Sequence, residues 1–185
     1  DMRTAIRHVE GSTCGWSASA RFAAEVAAHD TTPRMLARNA REAPDLVAQR
    51  EKEFGIWTAY TWRSVEYHVR RMSTGLAALG VASGDVVVLS GDNRPAWVWG
   101  EIAAHACGAR SLGIYRDALE DEIAYLVDYT SPKVVIAEDE EQVDKFLNLG
   151  HRIPSVERII YLDPRGMRKY DDPRLMFIAD LEASG

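Results

Sequence analysis

Gly84-Asp85-Val86-Val87-Val88-Leu89-Ser90-Gly91-Asp92-Asn93-Arg94-Pro95 is the stretch on which the fold turns. Four consecutive apolar residues, three of them β-branched, suit a strand buried on both faces, and such strands belong to parallel sheets with helices on either side. Turn chemistry follows at Ser90-Gly91-Asp92-Asn93, and Pro95 suits the first turn of a helix for which Asn93 is the expected cap. That helix is predicted to run to about Ala106 and to stop at Gly108.

The same alternation continues toward the C-terminus. A strand is expected over Leu112–Tyr115. A helix opened by Asp117 with its reciprocal acid Glu120 follows, carrying Leu119, Ile123, Leu126 and Val127. Lys133–Ala137 reads as a second buried strand. The acids Glu138–Glu141 suit the start of a helix with Val143, Phe146 and Leu147 on its core face, and Arg158–Leu162 makes a further strand. Parallel strands need crossovers, so the pattern predicts right-handed βαβ units in an α/β fold with a mostly parallel, doubly wound sheet and flanking helices.

Toward the N-terminus, Thr31, Thr32 as a cap, and Pro33 open a short helix with Leu36, Ala40 and Ala43 on one face, ended by Pro44. Residues 46–50 and 56–62 read as a hairpin around the polar turn Glu51-Lys52-Glu53-Phe54-Gly55. The strongest helical stripe is Val65, Val69, Met72, Leu76 and Leu79, with Gly80 placed to terminate it and a sheet needed to cover it. Residues 1–30 are an arm of small residues with a weak stripe at Phe22, Ala23, Val26 and Ala27. The expected organisation is therefore an arm at 1–30 and an α/β subdomain at 31–162, then a loop and the start of a further part at 163–185, where Leu175–Leu181 begins another element.

Composition excludes several functions. The 185 residues are 46% hydrophobic and 27% charged, as in folded globular chains. A net charge of −6 has the wrong sign for a dedicated nucleic-acid binder. Cys14 and Cys107, with His8, His29, His68, His105 and His151 scattered, make neither a disulfide framework nor a zinc site, so a reducing cytoplasm is the default setting. No apolar run approaches the ~20 residues of a membrane span. The start at Asp1 and the polar end Glu182-Ala183-Ser184-Gly185 raise the expectation of a fragment.

Neither GxGxxG nor GxxxxGK[ST] is present, nor GxSxG or HExxH, and Asp92 beside Gly91 would repel a pyrophosphate. The remaining candidates read more simply as structure. Arg34, Arg38 and Arg41 share a solvated helix face, and Asn93–Ala96 is a capped helix start before it is an anion site. The ten acids of residues 117–144 fall mainly at helix starts. His105 and Cys107 read as packed side chains. Trp97 and Trp99, two apart on a helix, diverge by about 200° and cannot both face the sheet.

Several segments nevertheless recur together. Thr31-Thr32-Pro33-x-Met35-Leu36, Tyr60-Thr61-Trp62-x-Ser64-Val65 and Gly75-Leu76-x-x-Leu79-Gly80-Val81-x-x-Gly84-Asp85 are followed by Asn93-Arg94-Pro95-x-Trp97 and by Gly108-Ala109 leading to Gly113-Ile114-Tyr115. This combination resembles the N-terminal portion of adenylate-forming enzymes, and in particular the long-chain fatty acid CoA ligases (acyl-CoA synthetases). Ile159-Ile160-Tyr161-Leu162-Asp163-Pro164-Arg165-Gly166 and Tyr170-Asp171-Asp172-Pro173 resemble the bacterial long-chain branch. The likeness covers residues 31 to about 181. It departs at Gly113, where many relatives carry Pro, and at Ser64, where an acid is usual.

The resemblance implies ATP-dependent activation of a carboxylate followed by thioester formation, with ATP, Mg2+ and CoA used by a full-length enzyme and none of them expected for this part alone. The family's phosphate loop, magnesium-holding Glu, ribose-binding Asp and catalytic Lys have no counterpart in this chain. It therefore implies no catalytic, cofactor-binding or metal residue here. The matched motif residues Tyr60, Thr61, Trp62, Asn93, Arg94, Pro95, Gly108, Ala109, Ile114 and Tyr115 are expected to serve packing and turn geometry. The implied partners are a fatty acid substrate and the missing C-terminal portion, without nucleic acid or a transmembrane segment. A homo-oligomer and a peripheral position at a membrane are both compatible with it. Two alternatives stay open: part of an acyl-AMP ligase, or a stand-alone α/β module that binds a ligand or a protein.

Overall fold

The computed structural model describes residues 30–184 together with Ala24, Ala27 and Ala28. Apart from Asp30 and those three alanines, the arm at 1–30, with His8, Cys14, His29 and the stripe residues Phe22, Ala23 and Val26, lies outside the described residues. In chain order the elements are α1 (Thr32–Glu42), β1 (Val47–Glu53), β2 (Ile56–Thr61), α2 (Trp62–Ala78), β3 (Val86–Ser90), α3 (Pro95–Ala106) and β4 (Arg110–Ile114). They continue with α4 (Glu120–Thr130), β5 (Val134–Ala137), α5 (Glu140–Leu149), β6 (Arg158–Tyr161), β7 (Leu175–Phe177) and α6 (Ile178–Ala183).

Every residue of β3 is buried, as the apolar run requires. It pairs in parallel with β4 on one side and β5 on the other, and the five-stranded sheet runs β4-β3-β5-β6-β7 with all neighbours parallel. Successive strand side chains point to opposite faces. Val87, Leu89, Val134, Ile136 and Ile160 accordingly join a core with α1, α2, α3 and α6, whereas Val88, Val135, Ala137 and Ile159 join one with α4 and α5. The chain moves from β3 outward to β4, then returns past β3 to β5, so the order reverses between β3 and β5. In open α/β sheets ligands bind outside the carboxyl ends of the strands at such a reversal.

The stripe of α2 is buried at Val65, Val69, Met72 and Leu76, and Gly80 (φ 85°) turns the chain after it. Gly100 lets α3 lie close on the sheet: a Cβ there would sit 2.9 Å from Leu89 and 3.0 Å from Ile136. Gly75 does the same between α2 and α6, because a Cβ would fall 2.4 Å from the Leu181 carbonyl oxygen.

Some expected boundaries move. The hairpin turn is Phe54-Gly55 alone, flanked by the pair Glu53 and Ile56, and Glu51-Lys52-Glu53 belongs to β1. Both turn residues have positive φ (47° and 82°), as a type I′ turn demands. Thr31 rather than Thr32 caps α1, and Arg94 rather than Asn93 caps α3, with Pro33 and Pro95 in the first turns as expected. The helix expected from Asp117 starts after Leu119, whose backbone N–H donates to the Glu122 carboxylate (2.9 Å), and Leu119, expected on the apolar face, is 70% exposed. The core does not stop near residue 163: β7 adds a strand beside β6, Met167 is buried, and Leu181 is fully buried against α2.

Helix propensity alone would have Gly75→Ala stabilise α2 by about 1 kcal/mol. The clash with backbone outweighs that, so the variant is expected to lose about 1–3 kcal/mol in urea unfolding. A gain would show that α6 does not pack there.

Candidate functional site

The carboxyl ends of β3 and β5 build the site. Ser90 closes β3 fully buried, and its hydroxyl donates to Gln142 Oε1 (3.0 Å) in the first turn of α5. Gln142 is itself buried, and its Nε2 donates to the Arg116 carbonyl (3.3 Å). Gly91 follows Ser90 because there is no room for a side chain: a Cβ would lie 2.5 Å from Glu138 Cβ. Glu138, directly after β5, accepts from the Asp92 backbone N–H (2.5 Å).

Arg94 is the hub. Its guanidinium meets Glu51 (2.6 Å) and Glu53 (3.1 Å) from the hairpin and Glu138 (3.4 Å) from the sheet. Burial works against its charge, but hydrogen bonds with Glu51 and Glu53 outweigh this and hold its pKa above the ordinary arginine value. Tyr60 donates its hydroxyl to Glu51 (3.3 Å), and burial followed by the Glu51 charge pushes the phenol pKa up. Arg116 bridges Asp92 (2.9 Å), Asp139 (3.2 Å) and Glu141 (3.1 Å). Arg165 pairs with Asp163, approaches Glu53 (3.8 Å), and lies 5.5 Å from the Phe54 ring.

Glu51, Glu53, Arg94, Glu138, Asp163 and Arg165 line a cavity of about 400 Å³ whose apolar walls are Phe54, Ala96, Leu162 and Pro164. A shallower extension toward Trp57, Asn93 and Arg116 adds a second hollow of about 660 Å³. Arg94, Arg116 and Arg165 are each matched with carboxylates, so a phosphate entering here would have to displace an acid. Among the described residues no three His, Cys, Asp or Glu side chains could hold a metal ion.

The motif residues divide between two ends of the sheet. Tyr60, Asn93, Arg94 and Pro95 gather at or beside the crevice, Tyr60 and Arg94 through their shared partner Glu51. Thr61 caps α2 by accepting from the Ser64 N–H (3.2 Å), and Trp62 begins that helix partly buried. Gly108 (φ 75°) and the buried Ala109 precede β4 at the opposite end. Ile114 is buried at the end of β4, and the adjoining Tyr115 is 84% exposed.

Trp97 and Trp99 diverge as their spacing demands. Trp99 donates Nε1–H to Gln49 (2.7 Å) and stacks on His68 at 4.4 Å, whereas Trp97 lies against β4, where a Cβ on Gly113 would be 3.1 Å from its ring. Arg34 pairs with Asp30 (2.7 Å) and Arg38 with Glu42 (3.2 Å) on the surface. His105 bonds Thr32 (3.1 Å) and Ser111 (3.0 Å). Burial pushes the Cys107 thiol pKa up, and its Sγ donates to the Ser73 carbonyl (3.2 Å). Glu51 and Glu53, expected in a turn, Glu138, expected at a helix start, and the family-motif residues Asp163 and Arg165 all join the crevice, together with Arg116 and Gln142, which carry no signal in the sequence. The position of Glu138 just after a buried strand was the usable signal.

A doubly wound layer with a polar crevice at its reversal is shared by many α/β enzymes. The profile of the AMP-binding enzyme family matches residues 36–176. The chain is 25% identical over 146 residues to the long-chain-fatty-acid–CoA ligase FadD15 of Mycobacterium bovis, covering 79% of this chain and 24% of that one. It is 36% identical over 126 residues to the Mycobacterium tuberculosis protein Rv1549, covering 68% of this chain and 69% of the other. Acetoacetyl-CoA synthetase from Streptomyces lividans shares the fold with a TM-score of 0.72 at 21% identity, covering 82% of this chain and 24% of that structure. The chain belongs to the AMP-binding enzyme family, the adenylate-forming enzymes. It spans about a quarter of the length of the ligase and about two thirds of Rv1549.

Two expectations follow from the geometry. Gln142→Leu leaves the buried Ser90 hydroxyl without its acceptor and should cost about 1–3 kcal/mol in denaturant unfolding, part of which Ser90→Ala should restore in the double variant. The Arg165 hydrogen bond holds the Asp163 pKa below the ordinary carboxylate range, and Arg174 does the same for Asp172. Groups depressed in the folded state add stability that is fully present above their unfolded pKa of about 4 and lost as pH falls through the lower folded values. Thermal unfolding should therefore be insensitive to these two groups near neutrality and move to lower temperature below about pH 4.

Proposed function

We propose that this chain is the N-terminal α/β subdomain of a long-chain fatty acid CoA ligase and that it does not form acyl-adenylates by itself. The family match over residues 36–176 carries this reading, together with the alignment to only 24% of the M. bovis ligase. In the whole enzyme ATP and a fatty acid would give an acyl-adenylate and pyrophosphate, and the CoA thiol would then displace AMP. The phosphate loop, the magnesium-holding Glu and the catalytic Lys would come from the remaining length, in a cytoplasmic protein. Among the described residues no helix is long and apolar enough to cross a membrane.

The role of the residues present is support. β3, β5 and β6 fix the carboxyl ends of the sheet, Gln142 ties β3 to α5, and Arg94 binds the hairpin to Glu138 at the carboxyl end of β5. The exposed apolar side chains of Ile56, Trp57, Tyr115, Tyr125 and Tyr129 suit surfaces that further parts of the enzyme would cover.

One observation favours a second reading. The matched stretch takes in 69% of the length of Rv1549, so most of that relative is this same layer. A stand-alone α/β module, binding an acyl ligand or a protein, accounts for such a relative.

Incubating the chain with ATP, Mg2+ and a long-chain fatty acid should release no pyrophosphate above the protein-free blank; release would overturn the support role. Sedimentation and calorimetry separate the two readings. Self-association with negligible fatty-acid binding supports the ligase subdomain, and a stable monomer that binds fatty acid tightly supports the stand-alone module.

A further inference from the structure

The hairpin β1–β2 is held by different means at its two ends. At the base, the Trp62 N–H donates to the Leu46 carbonyl (3.0 Å) and the Arg63 N–H to the Pro44 carbonyl (3.1 Å). Trp99 bonds Gln49 there and takes the Tyr60 ring edge-on at 5.0 Å. No hairpin residue is fully buried; Ala48, Gln49, Glu51, Tyr60 and Thr61 are half-buried, and from Lys52 to Ala59 every residue is exposed. The tip meets the sheet through charge instead: Glu51 and Glu53 on Arg94, and Glu53 and the Phe54 ring on Arg165.

Two further features single out this tip. Phe54 holds φ at 47°, a conformation unusual for a bulky residue, and is 81% exposed while walling the cavity at the carboxyl end of the sheet. The ladder shifts register between Val47 and Gln49, and a bulge of this kind bends a ribbon. An isolated two-stranded ribbon is marginal in water, so its outer half stays where the ion pairs hold it.

The geometry points to a strap: the β1–β2 tip closes the crevice at the β3/β5 reversal, with Arg94 as its catch and the bulge at Val47–Gln49 as its hinge. Closed, Glu51, Glu53 and Phe54 form one wall of the cavity, with Ala96 and Leu162 facing them. Opened, the tip carries two of the three carboxylates away from Arg94, which keeps Glu138. The position where doubly wound sheets receive ligands becomes accessible, and a guanidinium is released to meet an incoming anion. The strap does not depend on the ligase reading, because it uses only residues of this chain.

Hydrogen exchange on the intact chain, followed by mass spectrometry, reads the opening directly. In Arg94→Gln the amides of residues 51–58 are expected to exchange about tenfold faster than in the wild type, while those of β3, β5 and β6 keep their rates. Wild-type protein in about 1 M salt should show a smaller increase over the same residues, because Arg94 is partly exposed and its pairs are screened. Glu53→Gln, a surface change, should do likewise, and these two measurements decide if Arg94→Gln does not fold. Tip exchange unaffected by salt and by Glu53→Gln overturns the strap. An increase spread evenly through the sheet overturns it as well, since Arg94 would then be holding the whole fold.

Discussion

β3 has no face to spare. With all five residues buried, helices must cover both sides and each neighbouring strand must be reached by a crossover; because β3 is the first strand of its sheet and yet lies inside it, the strand order reverses beside it. From that one constraint come the two cores. They share no strand residue, because odd- and even-numbered positions of β3 face different layers. The close seat of α3 on the sheet follows from it too: Gly100 stands where any side chain would meet Leu89.

The crevice is a consequence of the same reversal. At the carboxyl ends of β3, β5 and β6 the chain leaves the apolar layer, and polar residues return at once as Ser90, Glu138 and Asp163. Buried or half-buried carboxylates need partners. Arg94, Arg116 and Arg165 supply them from three different loops and helix starts, and each therefore ties elements together that the backbone ladder does not join. Arg94 reaches farthest, since its acids come both from the sheet and from a hairpin more than forty residues upstream. Replacing these pairs with apolar groups would cost the fold little by itself. What the charges contribute is placement, above all of a hairpin that has few apolar contacts at its tip.

What was legible in the sequence follows the range of the forces involved. The run at Val86–Leu89 and the stripe of α2 announce themselves locally, because burial on one face repeats at the period of the element. Helix starts were displaced by one or two residues at Asn93 and Asp117, since the cap is set by backbone angles that several turn residues can adopt. Glu51-Lys52-Glu53 read as a turn because three charged residues in a row are typical of one. They form a strand because Arg94 neutralises two of them across space. Apart from Glu138, placed just after a buried strand, the crevice is hidden for the same reason: Ser90 and Gln142, or Glu51 and Arg94, carry no joint signature along the chain.

The departure at Gly113 shows how family pattern and packing interact. Its position on the edge strand β4 is roofed by the Trp97 ring, which leaves no room for a larger residue unless the indole moves. Trp97 is directed there because Trp99, two positions on, is committed to His68, Tyr60 and Gln49 on the hairpin side. The helix capped by Arg94 thus divides its aromatic residues between the base of the hairpin and the edge of the sheet. The residue at its cap joins the tip of that hairpin to the strand ends. One short helix thereby contacts the hairpin, the crevice and the edge strand β4.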